Sequence, residues 1–216
     1  MMALDPPITT LIDTILAASR AGRRRLVALA GAPASGKSTL AEALAEGLNA
    51  RGCNTKVVPM DGFHLHNPTL IERGLLDRKG APATFDVMGF AHLVARLQDE
   101  DEVFYPTFDR TRDIAIAGGG LIGPLCDTII VEGNYLLFDA PQWRDLSKHW
   151  DLSVRLDVPL ETLEKRLIDR WLDHGLSEED ATTRATRNDI ANARSIAGAM
   201  LAADVTVTTG YAGPAG

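Results

Sequence analysis

One nine-residue stretch, Gly31-Ala32-Pro33-Ala34-Ser35-Gly36-Lys37-Ser38-Thr39, constrains the fold of this chain more than any other. It satisfies the pattern G-x-x-x-x-G-K-[ST] at every defined position. The apolar segment 26–30 before it predicts a short buried strand, and leucines at positions 40, 44 and 48 predict a helix after it. A strand, a glycine-rich loop and a helix in this order form a cradle whose backbone N–H groups and helix N-terminus bind a polyphosphate.

The residue types within this loop have separate roles in binding a nucleoside triphosphate. We expect Gly31 and Gly36 to permit backbone conformations that a side chain would obstruct. We expect Lys37 to contact the β- and γ-phosphates and the Ser38 hydroxyl to ligate Mg²⁺. The alternative, an ordinary glycine-rich turn, is disfavoured because the motif and its flanking elements agree independently. ATP and Mg²⁺ are therefore the expected cofactors.

Composition indicates one acidic enzyme domain spanning residues 1–216. The hydrophobic fraction of 45% and the charged fraction of 24% are ordinary for a globular protein of this length. A net charge of -7 disfavours a general nucleic-acid-binding role. The sequence shows no apolar run of the roughly 20 residues that a membrane span needs, and it shows no secretion signal. Cys53 and Cys126 lack metal-site spacing and are expected to be reduced, which favours the cytoplasm.

Apolar strands alternate with helical segments along the chain. We expect a loose lead-in at 1–8, a helix at 9–21, strands at 55–60, 128–131, 152–158 and 205–208, and a β-ribbon or loop around the glycines at 118–120. The basic triplet at 23–25 is expected to be a solvated strand entry rather than a phosphate contact. The alternation predicts an α/β fold of the three-layer P-loop NTPase type, with a five-stranded parallel sheet flanked by helices and a helical lid. Ligands of such a sheet lie beyond the carboxyl ends of its strands.

Two carboxylates follow strands at that edge of the predicted sheet. Asp61 comes directly after the strand at 55–60, and Glu132 directly after the strand at 128–131. We assign Asp61 as the catalytic base that accepts the proton of an attacking hydroxyl. We assign Glu132 as a Mg²⁺ ligand, directly or through water, with Asp61 as a further candidate ligand beside Ser38. In isolation each acidic residue followed by glycine would indicate only a turn, but its position beside the phosphate-binding loop favours function.

The segment 159–194 carries arginines at helical spacing. Arg166 and Arg170, four residues apart, share one helix face, and Ser177 with Asp180 resembles a capping box for the next helix. A helical pair with spaced arginines near a triphosphate site predicts a mobile lid over about residues 166–190. We expect Arg166 and Arg170 to neutralise charge on the transferring phosphoryl group. The alternative is a solvated, charged pair of helices.

These residues together resemble a superfamily of P-loop kinases that includes uridine–cytidine kinases, bacterial pantothenate kinases and phosphoribulokinases. The resemblance spans roughly residues 25–210. It is carried by the loop at 31–39, Asp61-Gly62-Phe63, Lys79-Gly80-Ala81-Pro82 with Phe85-Asp86, Glu132-Gly133, and Asp157 followed by Arg166 and Arg170. It implies the same assignments of base, metal ligand and lid. Gly62-Phe63-His64 and the segments 78–82 and 132–137 are similar to a bacterial subgroup labelled nucleoside/nucleotide kinase-like or fructose-transport-associated kinase.

Candidate residues for binding the acceptor follow from their positions near the same edge. They are His64, Lys79, Tyr105, Asp109, Arg110, Asn134 and Tyr135. Together they suit a polyhydroxylated acceptor, although a structural role is equally compatible with each one alone. His64 and His66 lack a third ligand at suitable spacing, which disfavours a metal site there.

Two functions are compatible with these residues. The favoured one is an ATP-dependent small-molecule kinase that transfers the γ-phosphoryl group to an alcohol of a nucleoside, sugar or pantothenate-like acceptor. The alternative is a nucleotide-dependent regulatory or accessory NTPase that acts on a protein partner, and the lack of an Asn-Lys-x-Asp guanine-recognition motif disfavours it. Neither nucleic acid nor a membrane is an expected partner. The oligomeric state stays open, with a homodimer as the common case among enzymes.

Overall fold

The computed structural model describes residues 4–209 and contains eight strands and seven α-helices within that range. The strands are β1 (Leu4–Asp5), β2 (Arg25–Gly31), β3 (Thr55–Pro59), β4 (Val103–Asp109), β5 (Ile114–Ile122), β6 (Thr128–Gly133), β7 (Leu152–Asp157) and β8 (Val205–Thr209). The helices are α1 (Ile8–Ala17), α2 (Lys37–Ala50), α3 (Asn67–Glu72), α4 (Val87–Asp99), α5 (Leu160–Asp173), α6 (Glu178–Arg184) and α7 (Ala191–Gly198). Short 3₁₀ turns lie at Met60–Phe63, Leu76–Arg78, Pro82–Thr84 and Arg144–His149, and a π-helical turn lies at Ala185–Ile190.

Six strands form the central sheet in the order β1-β8-β7-β2-β6-β3. Five of them are parallel, which confirms the predicted α/β fold and its five-stranded parallel sheet. The sixth strand, β1, pairs antiparallel with β8 through Leu4 opposite Thr209. The prediction of a loose lead-in at 1–8 is therefore wrong for residues 4 and 5 and for residue 8, which begins α1, while residues 1–3 lie outside the described range. A two-residue strand is too short to produce an alternating pattern, so the sequence gives no signal for it.

Helices cover both faces of the sheet and create two apolar cores. On β2, residues 26, 28 and 30 face one core, which α4 contributes to with Phe90, Val94 and Leu97. Residues 27 and 29 face the other core, together with Leu44 and Leu48 of α2 and residues of α1. Because both faces of a parallel sheet are buried, β2 and β6 are nearly continuous apolar runs.

The order of the strands places the ligand-binding edge. The chain crosses from β2 to β3 on one side and returns through β6 to β7 on the other, so β2 lies between β6 and β7. Such a reversal opens a crevice at the carboxyl ends of the central strands. The 31–39 loop, the turn after β3 and the end of β6 all meet at this edge. None of the helices within residues 4–209 is long and apolar enough to span a membrane.

A second, two-stranded antiparallel sheet is formed by β4 and β5. The predicted ribbon is present, but the glycines at 118–120 lie within β5, and the turn falls at residues 110–113. A Cβ atom added at Gly120 would lie 2.2 Å from the ring of Tyr105, its partner across the ribbon. Gly119 and Gly120 therefore leave space for the side chains of β4, and the glycines at 118–120 do not make the turn.

Arg24 corrects the prediction that the basic triplet at 23–25 is a solvated strand entry. Its side chain is completely buried between the start of β2, the end of α4 and the loop after β5. The guanidinium donates hydrogen bonds of 2.6 to 3.2 Å to the carbonyl oxygens of Leu97, Glu100, Asp101 and Gly123. This buried cation joins three separate segments of the chain, whereas Arg23 forms an exposed ion pair with Asp101.

Substitution of Arg24 should show this structural role. Arg24→Met keeps an unbranched side chain but leaves four carbonyl oxygens without their donor. We expect the free energy of unfolding, measured by urea denaturation, to fall by about 3 kcal/mol or more. The matched control is Arg23→Met, which removes an exposed pair and should cost less than about 1 kcal/mol. Equal costs for the two variants would contradict the role assigned to Arg24.

Candidate active site

The phosphate-binding loop is a tight connection between β2 and α2. Ala34 and Gly36 both have positive φ angles, of 61° and 94°. Gly36 immediately precedes α2, so the loop delivers the chain directly into the helix N-terminus. A Cβ atom added at Gly31 would lie 2.7 Å from the Ser35 hydroxyl oxygen, which shows how closely the loop folds on itself. The backbone thus has the compact form that a phosphate cradle requires.

Arg166 supports this loop from outside. Its Nη1 donates hydrogen bonds to the carbonyl oxygens of Ala34, at 3.0 Å, and Ser35, at 3.2 Å. The sequence predicted that Arg166 contacts the transferring phosphoryl group. The structure places its guanidinium against the backbone of the loop, and Arg166 is not one of the residues that line the cavity described next, so its contact with the phosphoryl group stays a prediction. Arg166 therefore fixes the shape of the loop.

A cavity of about 1500 Å³ opens beyond the loop. Its lining comes from the loop and the start of α2, from the lid helices, and from the segments around residues 64–80 and 108–113. The cavity is lined by many of the residues that were predicted to act in the site. They are Pro33, Ala34, Gly36, Lys37, Ser38, Thr39, Asp61, His64, Lys79, Arg110, Asn134 and Arg170. The structure therefore brings most of the predicted nucleotide, base and acceptor residues to one space.

Glu132 and Ser38 form the candidate magnesium site. The Ser38 hydroxyl donates to Glu132 Oε1 over 3.3 Å, and the Glu132 side chain is buried. Burial raises the pKa of Glu132, and the nearby Asp61 carboxylate raises it further, while Lys37 and the Ser38 hydrogen bond lower it. A buried carboxylate with one weak hydrogen bond, next to a hydroxyl, supplies the oxygen ligands that Mg²⁺ prefers. The Ser38 hydroxyl and the Glu132 carboxylate are therefore suitable ligands for Mg²⁺.

The rest of such a coordination sphere would come from outside the protein. Within residues 4–209 there is no group of three or more His, Cys, Asp or Glu side chains placed to hold a metal ion. Mg²⁺ in nucleotide sites is bound by one or two protein oxygens together with phosphate oxygens and water. The pair formed by Ser38 and Glu132 is consistent with this arrangement.

Asp61 lies on the rigid 3₁₀ turn Met60–Phe63. A Cβ atom added at Gly62 would lie 2.1 Å from the carbonyl oxygen of Pro106, so only glycine allows β4 to pack against this turn. The Asp61 carboxylate accepts a hydrogen bond from Arg110 Nη2 over 3.0 Å and keeps 23% of its side chain exposed. The close packing of the ribbon therefore fixes a carboxylate at the cavity wall.

His64 stabilises the same turn. Its Nδ1 lies 2.8 Å from the Asp61 carbonyl oxygen, which only accepts, so Nδ1 carries the proton. Burial lowers the pKa of His64, outweighing the opposite effect of the Asp61 carboxylate. The ring packs between Phe85 and Phe108, with centroid distances of 4.1 and 4.8 Å. Burial thus favours the neutral imidazole, in which Nδ1 carries the proton and Nε2 is the hydrogen-bond acceptor.

Lys79, which was predicted to bind the acceptor, lines the cavity and is held by contacts within the protein. Its ammonium group donates to Asn67 Oδ1 at 2.7 Å, to Asp113 Oδ1 at 2.8 Å and to the Asp113 carbonyl oxygen at 3.1 Å. A lysine ammonium has three donors, and these contacts use all of them. Burial alone would raise the pKa of Asp113, but hydrogen bonds from Lys79 and Asn67 hold it below its usual range. Lys79 therefore shapes the acceptor side without a free donor for a substrate.

Three other predicted acceptor residues are placed away from the cavity lining. The Tyr105 hydroxyl donates to the Val57 carbonyl oxygen over 3.4 Å, and Asp109 accepts from the side chain and backbone of Arg112. The Tyr135 hydroxyl donates to the Gly80 carbonyl oxygen over 2.6 Å from a fully buried ring, and burial raises its pKa. Their placement differs from the predicted contact with an acceptor, because each side chain holds a neighbouring segment in position.

Asn134 lines the cavity and has an unsatisfied oxygen. Its Oδ1 is buried and has no hydrogen-bond partner among the described residues. A buried acceptor atom without a donor is costly, so it indicates a ligand or water that donates a hydrogen bond there. Asn134 follows β6 directly, as the sequence predicted, and is thus close to Glu132 in the chain.

The lid is formed by α5, α6 and the π-helical turn that follows them. Arg170 Nη2 pairs with Asp189 Oδ2 at 3.0 Å, and Arg184 lies 4.3 Å from the centroid of the Trp171 ring. Ser177 caps α6 as predicted, accepting from the Asp180 backbone N–H over 3.2 Å. Arg170 faces the cavity, but it is already paired with a carboxylate.

Several lining residues could not have been chosen from the sequence. Asn67, Asp113, Asn188 and Asp189 all line the cavity and form its hydrogen-bond framework. They occur in a short helix, a turn and a helical turn, with no motif or spacing that distinguishes them from other polar surface residues. Only the assembled structure brings them together.

The N-terminal part of the chain matches a family model. Residues 7–64 match the model described as Methylmalonyl Co-A mutase-associated GTPase MeaB. This segment contains the phosphate-binding loop and Asp61, and it ends before the lid. The match therefore concerns the part of the site next to the loop.

Several relatives that match two thirds or more of the chain are named as kinases. The Schizosaccharomyces pombe protein named putative uridine kinase C227.14 is 34% identical over 198 residues, which cover 86% of this chain and 83% of that protein. The pantothenate kinase of a Nocardioides species is 33% identical over 156 residues, which cover 68% of this chain and 47% of the kinase. The crystal structure of a putative fructose transport system kinase from Silicibacter sp. TM1040 is 56% identical, with a TM-score of 0.89, covering 92% of this chain and 98% of the other.

The raised pKa of Glu132 gives a prediction about stability and pH. The folded state favours the protonated carboxyl, so stability is greatest below the ordinary carboxyl pKa and is lost as the pH rises toward the raised value. In EDTA at pH 8, Glu132→Gln should therefore raise the free energy of unfolding, by about 1 kcal/mol or more. The advantage should shrink as the pH falls to 5, in thermal unfolding followed by calorimetry.

The exposed Glu46 on α2 provides the control for this measurement. Glu46→Gln should leave the free energy of unfolding nearly unchanged across the same pH range. A Glu132→Gln variant less stable than the natural protein in EDTA at pH 8 would contradict this prediction, because the buried carboxylate would then stabilise the fold in its charged form.

Proposed function

Because the chain belongs to the P-loop kinase family that contains uridine kinase, pantothenate kinase and phosphoribulokinase, we propose that it transfers the γ-phosphoryl group of ATP to an alcohol of a small polyhydroxylated acceptor. Kinase relatives support phosphotransfer to a small molecule as the general reaction. The observation that carries the finer proposal is that the phosphate-binding loop and Asp61 line one cavity, and that Ser38 of this loop is hydrogen-bonded to Glu132.

The nucleotide side of the cavity has the groups that a triphosphate needs. Gly36 and the N-terminus of α2 direct backbone donors and the positive end of the helix dipole toward the phosphates. Lys37 adds a cation at the same point. Ser38 and Glu132 would hold Mg²⁺, whose positive charge would offset the negative charge that develops on the phosphoryl oxygens.

The acceptor side of the cavity has groups suited to hydroxyls. Asp61 would accept the proton of the attacking hydroxyl, and Arg110 orients its carboxylate. Neutral His64 and the unsatisfied Oδ1 of Asn134 are both hydrogen-bond acceptors. Because hydroxyl groups are donors, these atoms favour an acceptor with several alcohols, such as a nucleoside, a sugar or a pantothenate-like compound.

The function is tested by ADP release with Mg²⁺–ATP against uridine, cytidine, nicotinamide riboside, fructose, ribose and pantothenate. We expect turnover that depends strictly on one of these alcohols. With that alcohol, Asp61→Asn should lower kcat by about 10² or more, because it removes the base, and should spare the binding of ATP, because the phosphate-binding loop is unchanged. Lys37→Ala should weaken the use of ATP itself.

The exposed Asp99, at the end of α4, is the matched control for this measurement, and Asp99→Asn should keep the natural kcat. Unchanged kcat in Asp61→Asn would remove Asp61 from the mechanism.

A second function is favoured by the match of residues 7–64 to a GTPase family model. An accessory NTPase acting on a protein partner would use the same loop and Asp61, but it would not need the acceptor side of the cavity. Running the assay with GTP as well as ATP separates the two functions. Hydrolysis of GTP that is independent of every alcohol would favour the accessory NTPase and contradict the kinase.

A further inference from the structure

The π-helical turn Ala185–Ile190 contacts two distant parts of the cavity wall. A π-helical turn inside a helical segment frequently marks a functional position. Two consecutive residues of this turn, Asn188 and Asp189, have partners on opposite sides. Asp189 binds the lid helix α5, and Asn188 binds the segment that leads to the acceptor side. Neither residue belongs to the phosphate-binding loop or to the catalytic groups assigned above.

Asp189 fixes the orientation of the lid arginine. Its Oδ2 accepts from Arg170 Nη2 over 3.0 Å and from the Trp171 indole N–H over 2.7 Å. The Asp189 side chain is only 13% exposed, so this pair is shielded from solvent more than an ordinary surface ion pair. The Arg184 guanidinium lies over the Trp171 ring, 4.3 Å from the ring centroid. The carboxylate therefore determines where the Arg170 guanidinium lies relative to the cavity.

Asn188 holds the segment that contains Lys79. Its Nδ2 donates to the Lys79 carbonyl oxygen over 2.6 Å. The next carbonyl, that of Gly80, accepts from Tyr135, which anchors the same segment to the end of β6. The Lys79 side chain extends to Asn67 and to Asp113 at the tip of the β4–β5 ribbon. Asn188 is thus the point where the lid meets the acceptor side.

These contacts form one continuous path of hydrogen bonds and covalent bonds. It runs from Arg170 to Asp189, through the backbone to Asn188, and from there through Lys79 to Asp113. A continuous set of polar contacts can carry coupling between two sites when both sites bias the same element. Here the shared element is the π-helical turn, since its two polar side chains each serve one side.

We propose that Asn188 and Asp189 are positioning residues that couple nucleotide binding at the lid to ordering of the acceptor side. A nucleotide that orders Arg170 also orders, through the π-helical turn, the segment around Lys79 and the turn that holds Asp113. By linkage, an acceptor that orders Asp113 raises the affinity for the nucleotide by the same factor. The inference rests on the proposed function only in requiring that the cavity binds a nucleoside triphosphate.

Hydrogen–deuterium exchange on the full chain tests this coupling without any phosphotransfer. With Mg²⁺ and the non-hydrolysable ATP analogue AMP-PNP, we expect slower exchange in the lid and also in residues 76–81 and 110–114. In Asn188→Ala the lid should keep its protection, while the nucleotide-dependent protection of 76–81 and 110–114 should fall by at least about fivefold. In Asp189→Asn the protection of both the lid and the acceptor side should fall.

Two exposed neighbours serve as matched controls. Thr186→Ala changes an exposed residue of the same π-helical turn, and Asp173→Asn removes an exposed carboxylate from the end of α5. Both should keep the natural pattern of protection. A merely structural role of Asn188 would speed exchange equally with and without AMP-PNP, whereas a positioning role changes the nucleotide-dependent difference.

The outcomes separate this inference from the proposed function. Binding of AMP-PNP that protects the lid but not residues 76–81 and 110–114 would overturn the inference and leave the kinase proposal intact. Full protection in Asn188→Ala would also overturn it. Coupled protection in a protein that phosphorylates no alcohol would support the inference while the kinase proposal fails. No binding of AMP-PNP to the natural protein would overturn both.

Discussion

The site depends on the register in which β6 pairs with its two neighbours. Glu132 lies opposite Leu29 of β2 on one side and opposite Pro59 of β3 on the other. Side chains alternate between the faces of a sheet, so a slip of one residue would turn the Glu132 carboxylate away from Ser38. The register is fixed by burial, because Ile129 and Val131 enter one core and Ile130 enters the other. The apolar contacts of a strand thus determine the geometry of a polar site.

Several cationic side chains of this acidic protein bind backbone carbonyl oxygens. Arg24 donates to four carbonyl oxygens, and Arg166 to two carbonyl oxygens of the phosphate-binding loop. Lys79 binds a carbonyl oxygen together with two side chains. A carbonyl oxygen has capacity for such donors, and a buried cation needs several of them to offset the loss of hydration. These contacts connect segments that are far apart in the chain.

The kind of contact that a side chain makes determines whether the sequence could predict it. The placement of the loop at 31–39, Asp61 and Glu132 at one edge of the sheet was predictable because each lies in a local motif or at a strand end. The partners of Arg24 and Lys79 were not, since carbonyl oxygens are identical along the chain and only tertiary structure selects among them. The short strand β1 escaped prediction because two residues carry no period. Tyr135 and Asn134 are neighbours in the chain, so only the tertiary structure distinguishes Tyr135, which holds Gly80, from Asn134, which lines the cavity.

The outer edge of β3 has a consequence for how the molecule associates. An edge strand presents unpaired backbone groups on which another chain can add a strand. On β3 the backbone N–H and carbonyl of Thr55 both bond to Asn49, and the carbonyl of Val57 accepts from Tyr105. Pro59 contributes no N–H at all, and Lys56 places an exposed charge on the strand. Side chains of the same molecule thus occupy hydrogen-bonding positions on this strand, which protects the sheet against extension by a second copy and against edge-to-edge aggregation.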